Sequence, residues 1–205
     1  MDTNFNRVSL CGTVQSPPQL SHVNHNLAFY KFPLAIERLS GQLDVLQVIL
    51  SQDQLSDTPL CPGDTVTVTG QLRSFNNKSG QGSRLIITVF AQNIEPSDGT
   101  SFNRILLSGI LCKPPTLRRT PLGRSICDII LAVNRHYGRA DYLPCIAWGQ
   151  LAMQIAEMSV GDRLTLEGRV QSRTYTKLLD TGSEERTAFE VSIMQLVDDE
   201  NEGVQ

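Results

Sequence analysis

The sequence predicts an all-β chain of two tandem OB-folds, five-stranded Greek-key barrels, the second with a short helix between its third and fourth strands. Three observations carry this: a long internal repeat, short apolar runs bounded by turn formers, and one helical stripe per repeat at most. With a shift of 97, Asn6-Arg7-Val8 recurs as Asn103-Arg104-Ile105. Leu10 then falls on Leu107, Gly12 on Gly109, Pro17-Pro18 on Pro114-Pro115 and Leu20 on Leu117. The register holds through Leu34-Ala35 and Leu131-Ala132, Arg38 and Arg135, and Asp44 and Asp141. One inserted residue aligns Gly63-Asp64 with Gly161-Asp162 and Gly70 with Gly168, and four more align Arg84 with Arg186. A period this long means tandem domains rather than a solenoid. The expected boundaries are 1–96 and 102–197, joined by a turn-rich linker at 97–101 and followed by an acidic tail at 198–205.

The second copy shows the elements in order. Arg104 to Leu111 is the first apolar run, ended by Pro114-Pro115 because proline lacks the amide a ladder needs. Ser125 to Asn134 is the second strand, with Cys127, Ile129, Leu131 and Val133 on one side. Tyr142 to Trp148 is the third. Leu151, Ile155 and Met158 form a helical stripe, closed by Val160-Gly161-Asp162. Arg163 to Ser172 is the fourth strand, with Leu164, Leu166, Gly168 and Val170 facing one way. Ala188 to Val197 is the fifth. The first copy keeps the strands, but its helical segment from Asp53 to Leu60 carries Pro59, which costs about 3 kcal/mol inside a helix.

Composition narrows the class. The 205 residues are 40% hydrophobic and 19% charged, typical of a folded chain. No apolar run approaches the ~20 residues of a membrane span, and Met1-Asp2-Thr3-Asn4 does not resemble a signal peptide, so a cytoplasmic protein is expected. The five cysteines (11, 61, 112, 127, 145) form no Cys-x-x-Cys pair and read as reduced thiols. No cofactor or metal spacing and no catalytic motif is visible, so no enzyme is expected. The net charge of -3 hides an asymmetry: residues 103–197 carry 12 bases and 9 acids, while 198–205 hold four acids and no base.

Twelve aromatics are few, so their placement is informative. Tyr137, Tyr142, Trp148 and Tyr175 lie in the second copy among Arg135, Arg139, Arg169, Arg173 and Lys177. Tyr142 and Trp148 are six apart and share one face of a strand. Rings beside cations suit single-stranded nucleic acid, since bases stack on rings for about 1–3 kcal/mol each while Arg and Lys neutralise phosphates. Filling of the barrel core is the competing explanation for any single ring.

Six stretches of the second copy stand out: Asn103 to Gly109, Pro115 to Arg118 with Thr120 to Gly123, Ile129 to Arg135, Asp141 to Gly149, Leu166 to Tyr175 and Phe189 to Val191. On these stretches the second copy resembles the bacterial single-stranded DNA-binding protein (SSB) family. The resemblance implies base stacking at Tyr137, Tyr142, Trp148 and Tyr175 and basic contacts at Arg104 and Arg173. Arg118, Arg119, Arg135 and Arg169 join them by position. It implies a non-catalytic single-stranded DNA binder acting in replication, repair or recombination. For a tandem form it also implies a homodimer with four OB-folds.

The first copy resembles the family more distantly. Ser40, Val45 and Ser51 stand where Tyr137, Tyr142 and Trp148 stand in the second copy, and Phe75 lies near the place of Tyr175. It therefore reads as a weakened or architectural domain, with the second copy as the main platform. The family's acidic tip follows a Gly/Gln/Pro-rich linker and carries Phe. Residues 198–205 have the acids without either, so recruitment of replication or repair proteins by that route does not carry over. The alternative is a primosome-like assembly module with weak or no DNA affinity.

Overall fold

The structure, a computed structural model, describes residues 5–79, 82–135, 138–179 and 182–197. It divides into two compact units, Arg7–Arg104 and the residues from Ile105 onward, with Phe5 and Asn6 grouped with the latter.

The first unit contains β1 (Asn6–Val14), β2 (Gln19–Asn24), β3 (Leu27–Glu37), β4 (Leu43–Ser51), α1 (Gln52–Asp57), β5 (Thr65–Asn76) and β6 (Leu85–Pro96). The second contains β7 (Phe102–Leu111), β8 (Thr116–Arg119), β9 (Ser125–Asn134), β10 (Ala140–Trp148), α2 (Gly149–Ala156), β11 (Arg163–Leu179) and β12 (Gly182–Leu196). The strands run β2-β3-β4-β6-β5-β1 in the first and β8-β9-β10-β12-β11-β7 in the second. Closure comes from pairing of β1 with β3 and of β7 with β9. These are two OB-folds. Among the described residues no helix is long and apolar enough to cross a membrane.

Three details differ from the sequence expectation. Each unit has an extra short strand, β2 or β8, so the helix follows the fourth strand segment rather than the third. All four residues of β8 are exposed, and an edge strand with two wet faces leaves no alternating pattern to read. The first unit also keeps its helix. Ser51 accepts a hydrogen bond from the Gln54 amide while the Gln54 side chain accepts from the Ser51 amide, a capping box. α1 stops at Asp57, so Pro59 lies beyond it and removes no internal hydrogen bond. Finally, α2 ends at Ala156, before Met158, and buries Ala152 and Ile155.

Alternation decides what faces the core. Leu164, Leu166 and Val170 of β11 are buried, as are Cys127, Ile129, Leu131 and Val133 of β9. The described thiols are all free. Burial pushes the Cys145 thiol up, which keeps it protonated and inert.

Closure of each barrel depends on glycine. A Cβ on Gly109 would lie 2.5 Å from the Ala132 carbonyl oxygen, and one on Gly12 would lie 2.3 Å from that of Ala35. Gly168 and Gly70 repeat the device beside the β-bulges of β11 and β5, with carbonyls 2.4 and 2.1 Å from a built Cβ. Gly109→Ala should therefore destabilise the chain by about 1–3 kcal/mol, the usual range for overpacking, read as a lower urea midpoint. An unchanged midpoint would contradict this closure.

Candidate nucleic-acid interface

β10 turns its two exposed rings to one side, where Ile146 between them is buried. Leu143, Cys145 and Ala147 are buried, whereas Tyr142 and Trp148 on the other side are 52% and 41% exposed. Directly paired residues in a sheet share a face. Trp148 pairs with Ile126, and Ile126 pairs with Arg118. On the other flank Ile146 pairs with Ser192. Arg169, Gln171, Arg173 and Tyr175 of β11 pair with Ser192, Glu190, Ala188 and Arg186. Tyr142, Trp148, Tyr175, Arg118, Arg169 and Arg173 thus stand on one outer face. Arg104 alternates with buried Ile105 and points outward on β7, the strand beside β11.

The sequence-selected residues do not all join this face. Arg119 alternates with Arg118 on β8 and so turns to the opposite side of that strand. Arg135 donates through Nε to Asp141 at 2.6 Å and through Nη2 to its other carboxylate oxygen. Asp141 is fully buried, so Arg135 serves as its counter-ion and anchors the β9–β10 hairpin. Arg38 and Asp44 repeat the pair in the first unit at 2.6 Å. Tyr137 and the tail at 198–205 lie outside the described residues.

Two acids that the sequence reading passed over stand on the same face. Arg118 meets Asp128 at 2.5 Å, and this hydrogen bond raises the already high pKa of the guanidinium. Arg173 lies 3.6 Å from Glu190, which also accepts from Gln171 at 3.2 Å. Arg118, Asp128, Arg173 and Glu190 line a groove of about 390 Å³ with Ile130 and Pro144 in its wall. Phosphates entering it would compete with Asp128 and Glu190 for the two arginines. Charge counting over a domain misses such pairing; the alternation of Asp128 with buried Cys127 and Ile129 was the available signal.

Trp148 occupies the N-cap of α2 and makes no side-chain cap bond. Its counterpart Ser51 caps α1. A cap of this kind contributes about 1 kcal/mol. The second unit forgoes that stabilisation and presents an indole instead.

The first unit carries rings at other places. His22 stacks on Phe29 with centroids 4.9 Å apart, Phe29 meets Phe90 at 5.8 Å, and the Arg73 guanidinium lies 5.9 Å from the Phe90 centroid. Cross-strand register relates these to the second unit. Phe29 pairs with Ser51 as Ile126 pairs with Trp148, and Phe90 pairs with Ile49 as Ser192 pairs with Ile146. His22 pairs with Phe29 as Arg118 pairs with Ile126. The bulge between Leu20 and His22 makes this so, whereas the sequence repeat sets His22 against Arg119.

Barrels of this order, with rings and cations gathered on one outer face, define a tandem OB-fold chain suited to extended polyanions. Known proteins narrow the class. The model of the Single-strand binding protein family matches residues 102–197, the span of the second domain. The single-stranded DNA-binding protein of Clostridium tetani is 38% identical over 80 residues, covering 36% of this chain and 55% of its own. Single-stranded DNA-binding protein A of Bacillus subtilis is 36% identical over 80 residues, covering 36% and 46%. The chain thus spans about half the length of the curated relatives it matches. The likeness extends over both domains in the wild-type single-stranded DNA binding protein from Thermus aquaticus, with a TM-score of 0.75 and 26% identity over 98% of this chain and 96% of that one. A deletion mutant of the same protein gives 0.76 and 27%, over 96% and 95%.

Removing Arg135 would strand a buried carboxylate. Arg135→Ala should cost about 3 kcal/mol of stability, a loss typical of broken buried pairs, measured by chemical denaturation. A stable variant would return Arg135 to the surface cations.

Proposed function

We propose that this chain is a non-catalytic binder of single-stranded DNA. Bases stack on Trp148, Tyr142 and Tyr175, and phosphates meet Arg104, Arg118, Arg169 and Arg173. The observation that carries the reading is the exposure of Trp148 and Tyr142 on β10, the strand whose Pro144 lines a groove with Arg118 and Arg173. The names of the relatives agree with it. Tyr137 belongs to the proposed stacking set by family position alone. Arg119 and Arg135 leave the set of direct contacts for the geometric reasons above.

The reading extends to the cellular setting. Single strands arise transiently in replication, repair and recombination, and a binder without chemistry protects them there. The proposed site of action is the bacterial cytoplasm, at the nucleoid. A homodimer bringing four OB-folds together, and contacts with replication or repair proteins, complete the proposal. Light scattering should return about twice the 22.7 kDa chain mass; a monomer at micromolar concentration would remove the dimer.

The cap position separates binding from folding. Trp148→Ser installs the side chain that caps α1. It should leave stability equal or raise it by up to about 1 kcal/mol. Affinity for a labelled oligothymidine, read by anisotropy, should fall about 5- to 100-fold. Unchanged affinity would sink the stacking role; co-purifying proteins without DNA affinity would select the assembly-module alternative.

The carboxylates give a second test. Asp128→Asn releases Arg118 from its internal anion. Affinity at low salt should rise, and the salt slope should steepen by about 0.7, the increment for one more single-strand phosphate. Unchanged affinity and an unchanged slope together would show that Asp128 does not compete with phosphate for Arg118.

A further inference from the structure

We propose that the first domain carries its own single-stranded DNA site, built on His22, Phe29, Phe90 and Arg73 rather than on the positions that hold rings in the second domain. The inference rests on the reading of the chain as a single-strand binder, and goes beyond it by assigning a site to the domain whose expected ring positions hold Ser40, Val45 and Ser51.

Register supports the assignment. In the second domain the row across the outer face is Arg118–Ile126–Trp148, with Ser192 on the following strand. In the first it is His22–Phe29–Ser51, with Phe90 on the following strand. A large ring at the centre has become a small residue, and its two flanks have become rings. Ser51 cannot be aromatic without losing the capping box that holds the six-residue helix α1. Phe29 and Phe90 restore an aromatic surface over the same patch from neighbouring strands. His22 is exposed and stacks nearly parallel to Phe29, with an interplanar angle of 11°, so a base laid on its outer side would continue the stack.

Charge and hydrogen bonding agree. The places of Asp128 and Glu190 are taken by Lys31 and Thr88: Lys31 pairs with Ile49 as Asp128 pairs with Ile146, and Thr88 pairs with Arg73 as Glu190 pairs with Gln171. The two internal anions that compete for cations in the second domain are therefore absent from these positions. Thr88 is 5% exposed, and its hydroxyl is the one buried side-chain polar atom without a hydrogen-bond partner among the described residues. A buried unmatched hydroxyl on the strand that carries Phe90 is a costly feature for the fold alone to keep.

The experiment uses the full chain and a labelled oligothymidine. The double variant Trp148→Ser with Tyr142→Ala should retain measurable binding. Adding Phe29→Ile and Phe90→Ser, which copies the second domain's own residues at those places, should weaken that remainder about tenfold or more. If the unmodified chain does not bind, the single-strand reading itself falls, and this site with it. If the unmodified chain binds but the first double variant abolishes binding, or the added pair changes nothing, only the first-domain site falls. Photocrosslinking of the unmodified chain to an iodouridine-substituted strand avoids any folding defect. Adducts on His22, Phe29 or Phe90 are expected, and adducts confined to residues 102–197 would overturn the site.

Discussion

Everything on the outer faces depends on how closely two backbones approach at the seam of each barrel. β1 crosses β3, and β7 crosses β9, at Gly12 and Gly109, where any side chain would meet a carbonyl oxygen well inside contact distance. Gly70 and Gly168 relieve the same crowding beside bulges that bend the long strands. Closure sends Leu34, Leu46, Leu131 and Leu143 inward with no exposure. It leaves the alternate residues of the same strands as the surface on which function is written. The Arg38–Asp44 and Arg135–Asp141 pairs then fix the two hairpins from within. A buried carboxylate held by a forked guanidinium tolerates little movement, because its desolvation is offset only while both hydrogen bonds persist.

On that common frame the two domains resolve one conflict differently. The residue at the end of β4 or β10 is both the helix N-cap and the centre of the outer face. Serine there serves the helix, whereas tryptophan serves the surface. The domain with serine has a short helix held by its capping box. The domain with tryptophan has a longer helix, with Ala152 and Ile155 fully buried, whose packing substitutes for the missing cap. The position of the rings therefore follows from helix energetics as much as from ligand contact.

Much of this was legible in the sequence. The shift of 97 set Arg38 against Arg135 and Asp44 against Asp141, but it did not show that each Arg clamps its Asp, because that contact is made across a hairpin. Alternation placed Cys127, Ile129, Leu131 and Val133 on one side of β9 and Tyr142 with Trp148 on one side of β10, and burial then shows which sides face the core. β2 and β8 escaped because exposed edge strands have no apolar face. The first domain's ring cluster escaped for a sharper reason. A bulge beside His22 rotates it by one residue, so a linear repeat compares it with the wrong partner, and Phe90 becomes its neighbour only through a parallel pairing between distant strands. The pairing of Arg118 with Asp128 joins residues ten apart across a hairpin that composition does not see.

The single tryptophan makes one titration decisive, since Trp148 reports from the centre of the second domain's face and from nowhere else in the chain. Its emission, followed at low salt while an oligothymidine is added, should be quenched to a plateau and recover as salt is raised. Duplex DNA of equal length should leave it nearly unchanged. Emission that stays constant at saturating oligothymidine would mean that no base reaches the indole, and the outer face would lose its assigned role.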